Sequence, residues 1–222
     1  MRIDQQIEKT DWQGLLDQIC EDITPYLGKG KVADYIPALA CADPCAFGMA
    51  FTTVNGDTFR GGQADDGFSI QSISKVFALI LALEQEGDDL WTRVGREPSG
   101  SAFNSIVQLE EEKGRPRNPF INAGALVVTD SIVSHCGHQT AIDMIVDFLR
   151  QRSGNNAIDV NMEVAMSEEE YGDRNRSLAY FMKSFGVLRH VEETTATYFR
   201  QCAIEMSAAD LSRAGLFLAT DG

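Results

Sequence analysis

Along residues 10–25 the apolar positions Trp12, Leu15, Leu16, Ile19 and Ile23 recur at helical spacing, which predicts an amphipathic helix. The period then changes. Residues 46–54 and 57–61 flank Asn55-Gly56, the strongest short hairpin signal, so a sheet begins there. Between these elements Gly28-Lys-Gly-Lys31 lacks the second half of a phosphate-binding loop, and Ile36-Pro37 marks extended chain. A second apolar helix opens within Phe68-Ser-Ile-Gln-Ser-Ile-Ser-Lys-Val-Phe77, burying Ile73, Val76, Phe77, Ile80 and Leu81. Glu97-Pro-Ser-Gly100 reads as a turn, and a polar stretch follows through Gly114-Arg-Pro-Arg117. Further helices are predicted near 123–135, 140–152, 174–186, 194–205 and 207–219.

One hairpin followed by many helices indicates an α+β fold, a helical cluster beside an antiparallel sheet. Two strands alone are marginal in water, and no convincing third strand is legible. Because Leu218-Ala-Thr-Asp-Gly222 reads as a helix end, the strands that complete the sheet are expected beyond it. At 222 residues, with 44% hydrophobic and 23% charged residues, the chain has the size of one globular domain with a substantial core, so residues 1–222 are assigned to a single, C-terminally shortened domain.

Charge and cysteine usage narrow the classes. A formal charge of -14 with scattered Lys and Arg argues against a nucleic-acid footprint, which needs clustered basic residues. No apolar run reaches the roughly 18 residues of a membrane span, and Met-Arg-Ile-Asp-Gln-Gln at the start has no apolar signal core, so no membrane association and a cytoplasmic location are expected. Five cysteines at 20, 41, 45, 136 and 202 form an odd, unpatterned set, as expected of reduced thiols. His135-Cys136-Gly137-His138 offers metal-ligand types, but it follows a helical run and contains a Gly suited to ending one, which is the better reading.

The candidate chemistry lies where the second apolar helix begins. Ser72 and Lys75 stand three apart and so share a helical face, whereas Ser74 is adjacent to Lys75 and points away. In the first turn, free N–H groups favour a developing oxyanion. A Ser-x-x-Lys at the start of a buried helix is the nucleophile signature of β-lactamase and penicillin-binding-protein enzymes; the alternative is an N-cap Ser followed by a solvated Lys.

Taken together, Tyr35-Ile-Pro37, Ile70-Gln-Ser-Ile-Ser-Lys-Val-Phe77, Glu97-Pro-Ser-Gly100, Asn118-Pro-Phe-Ile-Asn-Ala-Gly124, Gly172-Asp-Arg-Asn175 and Tyr198-Phe-Arg-Gln-Cys-Ala-Ile-Glu205 closely resemble the serine-dependent glutaminases. The resemblance runs from about residue 35 to the end. It implies hydrolysis of L-glutamine to L-glutamate and ammonia on a serine β-lactamase-like fold, no metal or organic cofactor, and a homo-oligomer. It places the nucleophile on Ser72, its paired lysine on Lys75, and substrate contacts on Tyr35, Gln71, Asn122, Glu168, Asn175 and Tyr198. The family pattern also includes a later segment with a second active-site tyrosine and a Lys-Ser-Gly strand whose valine backbone serves the oxyanion hole.

The residue types fit this chemistry to different degrees. A carboxamide is a reluctant electrophile, so the site needs an activated nucleophile, oxyanion donors and an acid for the departing nitrogen. Lys75 serves as base only when neutral, which requires lowering its pKa by about 3 units through burial or nearby charge. Tyr198 either passes the proton to the departing amine or packs on the apolar face of its helix. Glu168 supplies an acid for the substrate ammonium, yet Glu168-Glu169-Glu170 also reads as a solvated helix end. Asn122 suits an N-cap and Asn175 a helix N-terminus that favours an anion. A penicillin-interacting hydrolase is the competing enzyme reading, although no Ser-Asp-Asn or Lys-Thr-Gly accompanies the Ser-x-x-Lys. A noncatalytic amino-acid-binding module competes from outside the enzymes.

Overall fold

The computed structural model describes residues 10–220 except 101 and 104. Its first helix, α1 (Trp12–Ile23), starts where the Asp11 side chain accepts the Gly14 N–H, a side-chain cap for an otherwise unpaired donor. After a short α2 (Pro37–Ala40), strands β1 (Gly48–Thr52) and β2 (Thr58–Gly62) form an antiparallel hairpin in the register Gly48↔Gly62 to Thr52↔Thr58. The expected hairpin is present with a wider turn. Thr53 N–H bonds Asp57 O and Gly56 N–H bonds Thr53 O, while Gly56 alone takes positive φ (+93), giving a three-residue loop with Gly in the left-handed position.

This hairpin solves the problem of its two strands by recruiting helices. Side chains alternate across a strand. On one face Phe51 stacks 4.8 Å from Trp12 of α1, and Gly61 closes on Leu16 and Cys20. On the other, Thr52 bonds Ser212 of α10 (Ala208–Ala214), whose Ala209 N–H also bonds Ala64 O. Among the described residues the hairpin remains two-stranded.

The core is helical. Helix α5 (Asn122–Cys136) is buried all round, without interruption from Ala123 to Val133, so it forms the central rod. Around it pack α3 (Ser74–Glu86), α6 (His138–Ser153), α8 (Asp173–Ser184) and α9 (Val191–Cys202), with the small α4 (Val107–Glu111) at the edge. Gly137, at φ +77, ends α5, as the His-Cys-Gly-His reading expects.

Two expectations are corrected. Helix α9 ends at Cys202 rather than near 205, because Ile204–Met206 is a strand, β5, that lies between β3 (Phe68–Ser69) and β4 (Asp159–Val160) in an antiparallel sheet. A helix not anticipated, α7 (Met162–Tyr171), follows β4 and is capped by the Asn161 side chain on Val164 N–H. The small sheet is the organising device of the site. It ties the chain just before Ser72 to the chain just after α9, through Ile70 N–H to Ile204 O at 2.9 Å, and ties the start of α7 to the same strand through Asn161 N–H to Ala203 O.

Candidate active site

The turn entering α3 is a 3-10 turn, Gln71–Ile73, with Gln71 at φ +47. Its tighter winding swings Ile73 out to solvent, contrary to the expected burial, while Lys75, Phe77, Ala78 and Leu81 face the core. Ser72 is exposed on this turn and opens into a cavity of about 590 Å³. Tyr35, Gln71, Asn122, Glu168, Asn175 and Tyr198 line the same cavity, so the structure brings together every residue singled out from sequence except Lys75, which lies one contact behind the wall.

Lys75 is 2% exposed, and burial lowers its pKa. Its Nζ donates to Asn122 Oδ1 at 2.8 Å and to Phe120 O at 3.1 Å, and it lies 5.7 Å from the centre of the Phe103 ring. No carboxylate among the described residues pairs with it. A neutral amine has two N–H groups and one lone pair; these two acceptors use both N–H groups and leave the lone pair for a proton. Asn122 cannot turn over, because its Nδ2 donates to Asn175 Oδ1 at 3.1 Å. The side chain of Asn122 therefore does not cap α5 as its position suggests. No side chain caps α5; Asn118 Oδ1 accepts the Phe120 and Ile121 N–H groups in the turn that leads into it, and the backbone turns so tightly there that a Cβ on Gly124 would fall 1.8 Å from Asn118 O.

The opposite wall is acidic and phenolic. Glu168, at 5% exposure, is buried rather than solvated like the run it belongs to, because it faces inward from α7. Burial raises its pKa, and hydrogen bonds from Gln71 and Tyr35 oppose that rise. Tyr35 Oη donates to Gln71 Oε1 at 2.9 Å and lies 3.4 Å from Glu168 Oε1; burial first and the Glu168 charge second push its phenol upward. The neighbouring Ile36, packed with Val164, Ala165 and Ala203, anchors Tyr35 over the cavity.

Tyr198 is 2% exposed, and burial raises its phenol pKa well above the ordinary value. One turn on, Cys202 also lines the cavity with its thiol pushed up to about 12 by burial, so it stays protonated. Cys202, Phe103, Tyr171 and Arg174 are cavity residues that sequence reasoning missed. Cys202 sits inside a quoted motif one helical turn after Tyr198 and so faces the same way, which is the signal that would have found it; Arg174, adjacent to Asn175, carries no such signal. Among the described residues no group of three or more His, Cys, Asp or Glu could hold a metal ion, and no helix is long and apolar enough to cross a membrane.

Comparison with known proteins bears on the chain as a whole. The glutaminase family pattern matches residues 30–222. A glutaminase of Agrobacterium fabrum (strain C58) is 57% identical over 215 residues, covering 96% of this chain and 69% of that protein. The crystal structure of Mglu in its native form superposes with a TM-score of 0.85 at 37% identity, over 96% of this chain and 52% of that one. A probable glutaminase from Bacillus subtilis, complexed with 6-diazo-5-oxo-L-norleucine, gives 0.81 at 31% identity, over 96% and 64%. With a family pattern that spans most of its length and a relative more than half identical over nearly all of it, the chain belongs to the glutaminase family.

Proposed function

We propose that this chain carries the machinery to hydrolyse L-glutamine to L-glutamate and ammonia through an acyl-enzyme on Ser72. The observation that carries the reading is the lysine. Lys75 is desolvated, unpaired with any described carboxylate, and fixed by two acceptors so that its lone pair is unclaimed. Ser72 Oγ and Lys75 Nζ make no hydrogen bond to each other; such contacts commonly tighten only when substrate is bound.

In the acylation step Lys75 takes the Ser72 hydroxyl proton as Oγ attacks the side-chain carboxamide carbon. The oxyanion forms near the N–H groups of the helix entry. The C–N bond then breaks, the nitrogen takes a proton relayed from Lys75 and leaves as ammonia, and glutamate is held as an ester on Ser72. Tyr198, which lines the same cavity and keeps its phenol proton, hands it across. Water, deprotonated by Lys75, attacks the ester, and Ser72 recovers its proton as glutamate leaves. Recognition divides between the walls: Glu168 faces the α-ammonium, and the Asn175 amide with the nearby Arg174 faces the α-carboxylate.

The resemblance to glutaminases and the name of the Agrobacterium relative support the same substrate. The test is ammonia release from L-glutamine by the unaltered chain and by Ser72→Ala, with mass spectrometry of a quenched reaction to locate the ester. Release that survives Ser72→Ala overturns the mechanism.

A further inference from the structure

Beneath the nucleophile runs a chain of buried polar side chains that the mechanism above does not use. Ser74, Thr129 and Gln201 are each 0% exposed. Thr129 Oγ1 donates to Gln201 Oε1 at 3.1 Å, Gln201 Nε2 donates to Ser74 Oγ at 3.1 Å, and Ser74 Oγ donates to Gln71 O at 2.7 Å. Thr129 Oγ1 also lies 3.0 Å from Ala125 O, within its own helix. The chain therefore runs from the central helix α5, through α9, into the start of α3. It ends on the carbonyl of the one residue whose conformation matters most to Ser72.

Gln71 is at φ +47, a left-handed conformation that an L side chain keeps only when its surroundings hold it there. Two of its polar groups are held at once. Its carbonyl accepts both Ser74 Oγ and the Ser74 backbone N–H, and its side chain is bonded by Tyr35 Oη. The carbonyl belongs to the peptide that leads directly into Ser72, so fixing its plane fixes where the Ser72 Cα–Cβ bond points. A core wanting stability alone would place apolar side chains at three fully buried helix positions, since such burial costs free energy unless every partner is met.

We propose that Ser74, Gln201 and Thr129 are positioning residues that hold the Gln71–Ser72 peptide in its left-handed turn and so aim Ser72 at the substrate. The proposal rests on Ser72 being the nucleophile. Gln201 acts only through Ser74, and Ser74 acts only through the Gln71 carbonyl. This order makes the three a unit rather than three separate contributors.

The test uses the full chain with Ser74→Ala, Gln201→Leu, their combination, and Ser74→Thr, which keeps the hydroxyl. The first readout is independent of turnover: the Cα and Cβ chemical shifts of Gln71 report the sign of its φ. Ser74→Ala and Gln201→Leu are expected to move them away from left-handed values, and Ser74→Thr to leave them in place. On L-glutamine, each of the first two lowers kcat per folded molecule at least about tenfold while KM stays within about twofold. The double variant is no slower than the slower single one. Unchanged Gln71 shifts in Ser74→Ala overturn the proposal whatever the chain hydrolyses, as do changed shifts with unchanged kcat or losses that multiply in the double variant. If Ser74→Ala does not fold, Gln201→Leu, which replaces a buried amide with an apolar side chain of similar size, carries both readouts. Absence of ammonia release from the unaltered chain overturns the glutaminase reading instead, and the shift measurement then decides the positioning.

Discussion

Lys75 and Glu168 are buried ionisable groups on opposite sides of one cavity, and each carries a testable consequence. On the proposed mechanism Lys75→Ala should lower kcat at least about a hundredfold, since it would remove the proton acceptor from a proton-transfer unit. The pH dependence follows from the lowered pKa of Lys75: activity should rise with pH as its ammonium loses a proton, at a pH below that of an ordinary lysine. Stability should move in the same direction. Between the folded and unfolded pKa values the unfolded chain binds the extra proton, so Lys75 makes stability increase with pH across that window. Thermal midpoints of the unaltered chain and Lys75→Met, measured over that range, should converge as pH rises. For Glu168, replacing it with Gln should cost about 2–5 kcal/mol in kcat/KM for L-glutamine, the usual loss when a desolvated charge partner is removed, against about 0–1 kcal/mol for a solvated pair. A change within twofold would return Glu168 to the solvated run around it. What sequence could and could not say about these residues has one physical cause. Ser-x-x-Lys fixes a spacing, so the nearness of Ser72 to Lys75 is legible, but whether Glu168 points inward depends on how α7 is turned against α9.

At the scale of elements, legibility tracks length and periodicity. The rod α5 and helices α6 and α8 carry enough apolar positions to be read directly, whereas α7 contains Met162, Val164, Ala165 and Met166 in one end and Ser-Glu-Glu-Glu in the other, with no stripe to follow. Strands β3, β4 and β5 are two to three residues long, too short for alternation to register. Their pairing comes entirely from tertiary context. The junction of α7 and α8 shows how tightly that context is set: a Cβ on Gly172 would fall 2.3 Å from the Phe199 ring and 2.5 Å from Glu168 O. Gly172→Ala should therefore push α7 from α9, destabilise the chain by about 1–3 kcal/mol, and raise KM because Glu168 and Asn175 flank the junction. A thermal midpoint and a KM both within error of the unaltered chain would show that the junction yields without cost.

For the molecule as a whole, a single buried carboxylate joins regions far apart. Asp130, 0% exposed in the middle of α5, accepts Arg189 N–H, His190 N–H and Thr194 Oγ1 on one oxygen and pairs with Arg93 on the other. It thus holds the start of α9 and the end of the segment after α3 at once. Asp130→Ala should cost about 3–5 kcal/mol, because it takes the close carboxylate from the buried Arg93 charge, leaving Glu86 at 3.7 Å as its remaining ion partner, and strips three donors of their acceptor; for a chain of this length that lowers Tm by roughly 6–20 °C. Calorimetry against the unaltered chain checks it. The small sheet of β3, β5 and β4 carries a different consequence, one that concerns time. Its pairings join Ser69 to Glu205 and Val160 to Ile204, so the first of them closes a loop of more than half the chain. Closing so long a loop costs entropy that only later contacts return, and pairings of this separation slow folding. A nascent chain can wind the Ser72 turn and the helix that bears Lys75 long before β5 has left the ribosome, but until the later segments emerge it has no Glu168 and no Tyr198 beside them. The cavity that holds Ser72 is therefore completed late in folding, and until then the chain carries only one wall of it.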